Sequence, residues 1–93
     1  MIKSFADKQT YELFTTGTTR RLSANLMKRA VRHLEYIHQA TGLEDLKVLP
    51  SNRLPKLSAD REGQYAISVN AQWRLGFRFV AGNAYEVELT DYH

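Results

Sequence analysis

Asp91, Tyr92 and His93 end the sequence as a carboxylate, a phenol and an imidazole in succession, and Arg74 stands in an alternating stretch upstream. These are the groups needed to break an RNA phosphodiester without a metal ion. A base removes the 2′-hydroxyl proton, an acid protonates the leaving 5′-oxygen, and a cation offsets the charge that builds on the phosphorane. Histidine, with an unperturbed pKa of about 6.5, can serve on either side of that transfer at neutral pH. Arginine presents a fork of donors matched to phosphate oxygens. The competing explanation is structural: a polar end to a last strand and a solvated strand arginine. Which one holds depends on the elements that position these residues.

Three strands are expected from the alternation of Tyr65, Ile67 and Val69, of Trp73, Leu75, Phe77 and Phe79, and of Tyr85, Val87 and Leu89 with small or polar neighbours. The strictness of that alternation assigns Trp73 and the phenylalanines to the core rather than to base stacking. A three-residue turn at Asn70-Ala71-Gln72 sets Val69 opposite Trp73 and Ser68 near Arg74. A second turn of the same length, Ala81-Gly82-Asn83, with Gly82 and Asn83 free to take positive φ, sets Arg78 against Glu86 and Arg74 against Thr90. The open face then carries two rows: Gln64, Arg78, Glu86 and Ser68, Arg74, Thr90. Arg78 and Glu86 read as an exposed ion pair of about 0 to 1 kcal/mol. Tyr92 has the parity of Arg74, which brings the end of the chain beside the open polar face.

The first half of the chain supplies the cover for the apolar face. Ile2 to Phe5 suggests a short first strand; Asp7 caps a helix to about Phe14 or Thr15, stopped by Gly17. Ser23 caps a longer helix in which Leu26, Met27, Ala30, Val31, Leu34 and Ile37 form one stripe, with Gly42 placed to end it. A turn is expected at Gly42-Leu43-Glu44-Asp45, and Pro50 and Pro55 mark the following segment as a connector. The fold class is therefore α+β: a short N-terminal strand and two helices packed on one face of a small antiparallel sheet, in a single domain over residues 1–93.

Composition narrows the function classes. With 43% hydrophobic and 25% charged residues the chain is that of an ordinary globular protein. There is no cysteine, so neither disulfides nor thiolate metal sites are possible. The other potential ligands do not converge: His33 and His38 are spread around one helix, so neither a metal nor a cofactor is expected. The opening residues lack the apolar run of a signal peptide or membrane span, which points to a cytoplasmic protein without a membrane partner. Charge is uneven: residues 1–40 hold seven Lys and Arg against three Asp and Glu, and residues 41–93 hold six against seven. Lys28, Arg29 and Arg32 on the outer side of the second helix, preceded by Arg20 and Arg21, concentrate that excess as a footprint for a polyanion or an acidic partner.

Met1-Ile2-Lys3-Ser4-Phe5, the block Leu57-Ser58-Ala59-Asp60-Arg61-Glu62-Gly63, the strand Ser68-Val69-Asn70-Ala71-Gln72-Trp73-Arg74-Leu75 and the terminal Asp91-Tyr92-His93 together resemble the HigB-type toxins of the RelE/ParE superfamily. The resemblance spans the chain. It implies the fold just described and a ribosome-dependent endoribonuclease that cuts mRNA, binding near 16S rRNA. It also implies a cognate helix-turn-helix antitoxin that neutralises the toxin and joins it in repressing their shared operon, reaching operator DNA through the antitoxin. By position, Asp91, Tyr92 and His93 match the family's catalytic end, Arg74 its phosphate-stabilising arginine, and Arg61 a basic position toward the RNA backbone.

One departure stands out. Where many relatives read Leu-His-Pro-Leu-Lys-Gly, this chain reads Leu54-Pro55-Lys56-Leu57-Ser58-Ala59. A histidine and a lysine of the catalytic surface are thereby missing at their aligned places. Lys56 and Arg53 are neighbouring cations toward RNA, but neither is a good base at neutral pH. Weaker catalysis is expected, carried more heavily by His93. The alternatives are a non-nucleolytic inhibitor on the same fold, such as a ParE-like gyrase poison, or a weakened toxin acting mainly as a co-repressor.

Overall fold

The computed structural model describes residues 1–47, 57–61 and 63–91; of Lys47 and residues 57–61 the backbone alone is described. Helix α1 spans Lys8–Thr16 and helix α2 Ala24–Gln39, followed by a single-turn helix α3, Glu44–Lys47. Strands β1 (Leu57–Arg61), β2 (Gln64–Ser68), β3 (Trp73–Val80) and β4 (Asn83–Asp91) form an antiparallel sheet in that order.

The helix starts are those the sequence signals. The Asp7 carboxylate accepts from the Thr10 amide at 2.7 Å, and the Ser23 hydroxyl from the Leu26 amide at 3.1 Å, each satisfying an amide that the helix itself cannot. Gly17 caps α1. Helix α2 ends at Gln39 with an extended Ala40, short of the expected Gly42, and the turn anticipated after it closes into α3, where the Asp45 carboxylate accepts from the amides of Thr41 and Gly42. Those bonds hold the Asp45 carboxyl below its ordinary pKa.

Leu13 from α1, and Leu26, Ala30, Leu34 and Ile37 from α2, pack with Ile67, Val69, Leu75, Phe77, Val87 and Leu89 in one core. Trp73 and Phe79 lean on it half-buried. The helices therefore cover one face of the sheet, as the two apolar periodicities require. His33 is buried on α2, where its Nδ1–H donates to the Arg29 carbonyl at 2.6 Å. Burial pushes its pKa down because the charged form loses water.

Three expectations about the sheet need correction. First, Leu57–Arg61 is a fourth strand, paired with β2, where the expected connector ends at Leu57 and a turn was expected at Asp60-Arg61-Glu62-Gly63. At the edge of the sheet it pairs with one neighbour, and its only apolar residues, Leu57 and Ala59, give too short an alternation to signal a strand. Second, the N-terminal residues contribute two isolated bridges, Ile2 with Ala84 and Phe5 with Val87, running parallel to β4. Third, the β3–β4 turn has two residues. Val80 pairs with Asn83, and positive φ falls on Ala81 (51°) and Gly82 (81°), the primed geometry suited to a tight hairpin. Glycine is required at position 82, since a Cβ there would stand 3.0 Å from the Thr41 carbonyl oxygen.

A two-residue turn alone would have inverted the faces of β4. A β-bulge restores them: the register shifts between Gly76 and Arg78, with Glu86 at φ 54°. Arg78 consequently stands opposite Tyr85, not Glu86, so the expected ion-pair register is absent and Tyr85 leaves the apolar set. Beyond the bulge Gly76 pairs with Glu88, Leu75 with Leu89 and Arg74 with Thr90.

The outer edge of β4 is closed by the start of the chain. Met1 and Ser4 carbonyls accept from the Ala84 and Val87 amides, and the Lys3 and Ala6 amides donate back to Ala84 and Val87. The Ser4 hydroxyl takes the Glu86 amide at 2.9 Å, within the bulge. Fully buried Thr10 accepts the Leu89 amide on Oγ1 at 2.9 Å. Replacing Thr10 by valine keeps the shape and strands that amide without a partner, so unfolding in urea should show a loss of about 1 to 3 kcal/mol, with Thr10→Ser much nearer the parent.

Candidate active site on the open face

Arg74 lies in the second position of β3, and Leu75 beside it is fully buried, so the arginine points to the face opposite the helices. Its register partners are Ser68 on β2 and Thr90 on β4, which is the predicted row. Arg74 is half-buried among them. A guanidinium in the middle of a polar face, held by strands on both sides, is a pre-positioned site for a phosphate oxygen.

The start of β3 is fixed by its turn. Asn70 Oδ1 accepts from the amides of Gln72 at 2.8 Å and Trp73 at 2.7 Å, while the Val69 amide donates to the Trp73 carbonyl at 2.8 Å. This side-chain-closed turn sets the three-residue loop length and hence the register that puts Arg74 against Thr90. Gln72 Nε2 then donates to Asp91 Oδ2 at 3.0 Å, tying the hairpin tip to the end of β4. Asp91 is opposite Trp73 and exposed, so it has the other parity from Arg74. Its carboxylate, engaged by Gln72, suits orientation of the strand end.

Sequence reasoning missed the part played by Gln72. Asn70 carried a turn signal, but nothing local marks a contact between Gln72 and Asp91. Of the remaining predicted residues, Tyr92, His93, Arg53 and Lys56 lie outside the described residues, as does Pro55. Arg61 ends β1 in register with Gln64, which itself pairs with Arg78, so its backbone belongs to the neighbouring row rather than to that of Arg74.

Arg20, Arg21, Lys28, Arg29 and Arg32 are all exposed on the helical side. Lys28, Arg29 and Arg32 lie on α2, which covers the face of the sheet opposite Arg74, with Arg20 and Arg21 just before that helix, and they form a second basic surface. Among the described residues no three His, Asp or Glu side chains gather as a metal would require, and no helix is long and apolar enough to cross a membrane.

Among the described residues, a four-stranded antiparallel sheet covered by helices on one face, with Arg74 on the other, defines the class: a small α+β protein. A family model described as RelE-like toxin of type II toxin-antitoxin system HigB matches residues 3–93, and the chain belongs to that family. It is 39% identical, over the full length of both chains, to a Proteus vulgaris protein named Endoribonuclease HigB. It is 33% identical to Toxin HigB-1 of Vibrio cholerae over 85 residues, 90% of each chain. The resemblance read from the residues is thus borne out.

Proposed function

We propose that this protein, acting as one domain, is an endoribonuclease toxin that cuts mRNA on the ribosome without a metal ion. In this reading Arg74 holds a non-bridging oxygen of the scissile phosphate and Tyr92 stacks on a neighbouring base. Neutral His93 removes the 2′-hydroxyl proton, the O2′–P bond forms as the P–O5′ bond breaks, and the leaving 5′-oxygen takes a proton from water. The products are a 2′,3′-cyclic phosphate and a 5′-hydroxyl. Asp91, held by Gln72, orients the strand that ends in these groups.

The observation that supports this reading is the register of Arg74 with Thr90, which sets Arg74 beside the end of β4, the strand that Tyr92 and His93 follow in sequence. Full-length likeness to a protein named as an endoribonuclease supports it. The separate basic surface of α2 suits contact with 16S rRNA, where phosphate neutralisation supplies affinity without reading sequence. A helix-turn-helix antitoxin is the expected neutralising partner and co-repressor, and the cytoplasm the expected compartment.

Purified protein incubated with a defined mRNA, alone and with ribosomes programmed by that mRNA, tests the reading. Cleavage confined to the ribosome-containing reaction is expected. Equal cleavage in both would remove ribosome dependence, and none in either would remove the nuclease.

A further inference from the structure

Next to the Arg74 row, the open face is hollowed into a trough of about 480 Å³, lined by Gln64, Arg78, Glu86 and Glu88 around Gly76, with Phe5 and Ala6 at the β4 edge. Gly76 is two residues from Arg74 on the same face, about 7 Å along the strand. Its glycine is not demanded by the backbone. It has no positive φ, and an added Cβ would meet only the Tyr65 carbonyl oxygen, at an ordinary 3.9 Å. What the missing side chain does is leave the floor of the trough open.

The walls are chemically selective. Two carboxylates and one guanidinium border the space, with the Gln64 amide beside them. A phosphate would be repelled by the carboxylates, so the RNA backbone belongs at Arg74 and not here. A nucleobase edge fits better: carboxylates accept from amino hydrogens, while Arg78 and Gln64 donate to ring nitrogens and carbonyls. Adenine, cytosine and guanine each bring an exocyclic amino group. Uracil brings a single N–H flanked by two carbonyl oxygens, which carboxylates repel. The bulge at Glu86, a non-glycine residue at φ 54° with its amide held by Ser4, is the device that brings this carboxylate to the rim.

We propose that the trough over Gly76 is a base-reading subsite, taking the nucleotide adjacent to the phosphate at Arg74 and favouring bases with an exocyclic amino group over uracil. Its part in substrate choice rests on the nuclease reading above; the binding does not.

The test uses four 2′-O-methyl trinucleotides that differ only in the central base, which cannot be cut because the attacking hydroxyl is blocked. They are titrated into the parent protein, Glu88→Gln and Gly76→Val, with the backbone amides of Gln64 and Gly76 followed by NMR. The uracil trinucleotide should bind the parent about tenfold more weakly than the other three. Glu88→Gln should bring the four within about twofold, and Gly76→Val, which fills the floor with a strand-favouring residue, should weaken the three amino-bearing ligands to the uracil level. Equal affinities in the parent, a gap unchanged by Glu88→Gln, or shifts that spare Gly76 would each overturn the proposal. Base preference in this assay together with uncut mRNA on ribosomes would sink the nuclease reading alone; cut mRNA without base preference would sink the subsite alone.

Discussion

The His93→Ala variant should cleave ribosome-bound mRNA about 10² to 10⁴-fold more slowly than the parent, the range associated with losing a principal general acid or base. The expectation is at the upper part of that range because of Pro55. A proline side chain neither takes up a proton nor carries charge, and Lys56 and Arg53 remain protonated at neutral pH unless their pKa values fall far. With no imidazole in Leu54-Pro55-Lys56-Leu57-Ser58-Ala59, the proposed proton transfer rests on His93. A single-turnover cleavage assay reads the effect directly. Exogenous imidazole should restore part of the rate to His93→Ala and none to the parent; a His93→Ala rate within a few-fold of the parent would contradict the assignment.

The Arg74→Ala variant should lose about 10² to 10³-fold in the same assay, the cost typical of removing one preorganised stabiliser of developing oxyanion charge. Arg74 sits on a strand paired on both sides, so its backbone is set before substrate arrives. Little of its benefit is spent on ordering. Arg74→Lys should recover only part of the loss, because a point charge replaces a planar fork. Stability should change little in either variant, since Arg74 lies on the open face and the core residues beside it are untouched. Equal cleavage by parent and Arg74→Ala at matched abundance would show that the phosphate is held elsewhere.

How much of this could be read from the sequence varied with the locality of the signal. Both helices, their Asp7 and Ser23 caps and the buried stripe of α2 were legible because caps and 3.6-residue periodicity are local. The Asn70 turn was legible too, and with it the Ser68, Arg74, Thr90 row. Strand β1 was not: Leu57-Ser58-Ala59-Asp60-Arg61 is short, with only Leu57 and Ala59 apolar, and follows a segment broken by Pro50 and Pro55. The second hairpin was misread for a related reason. A two-residue turn at Ala81-Gly82 and a bulge at Glu86 compensate each other, so Val87 and Leu89 keep the parity that a longer turn would have given them. Two departures that cancel leave the outer pattern intact and displace only what lies between them, here Tyr85 and Glu86. That displacement is what moves Glu86 from an ion pair with Arg78 to the rim of the trough.

In the proposed function the two basic surfaces have different tasks. Arg74 on the open face is suited to one phosphate at the reacting position, while the exposed α2 arginines and lysine, across the sheet, are suited to docking.

The central claim, that the open face around Arg74 cuts translated RNA, is tested most directly by mapping transcript 5′ ends in cells after induction of the parent and of Arg74→Ala at equal abundance. The account predicts new 5′-hydroxyl ends inside translated frames with the parent and their near disappearance with Arg74→Ala. Growth arrest accompanied by DNA breaks and no new ends inside those frames, or the same ends from both proteins, would contradict it.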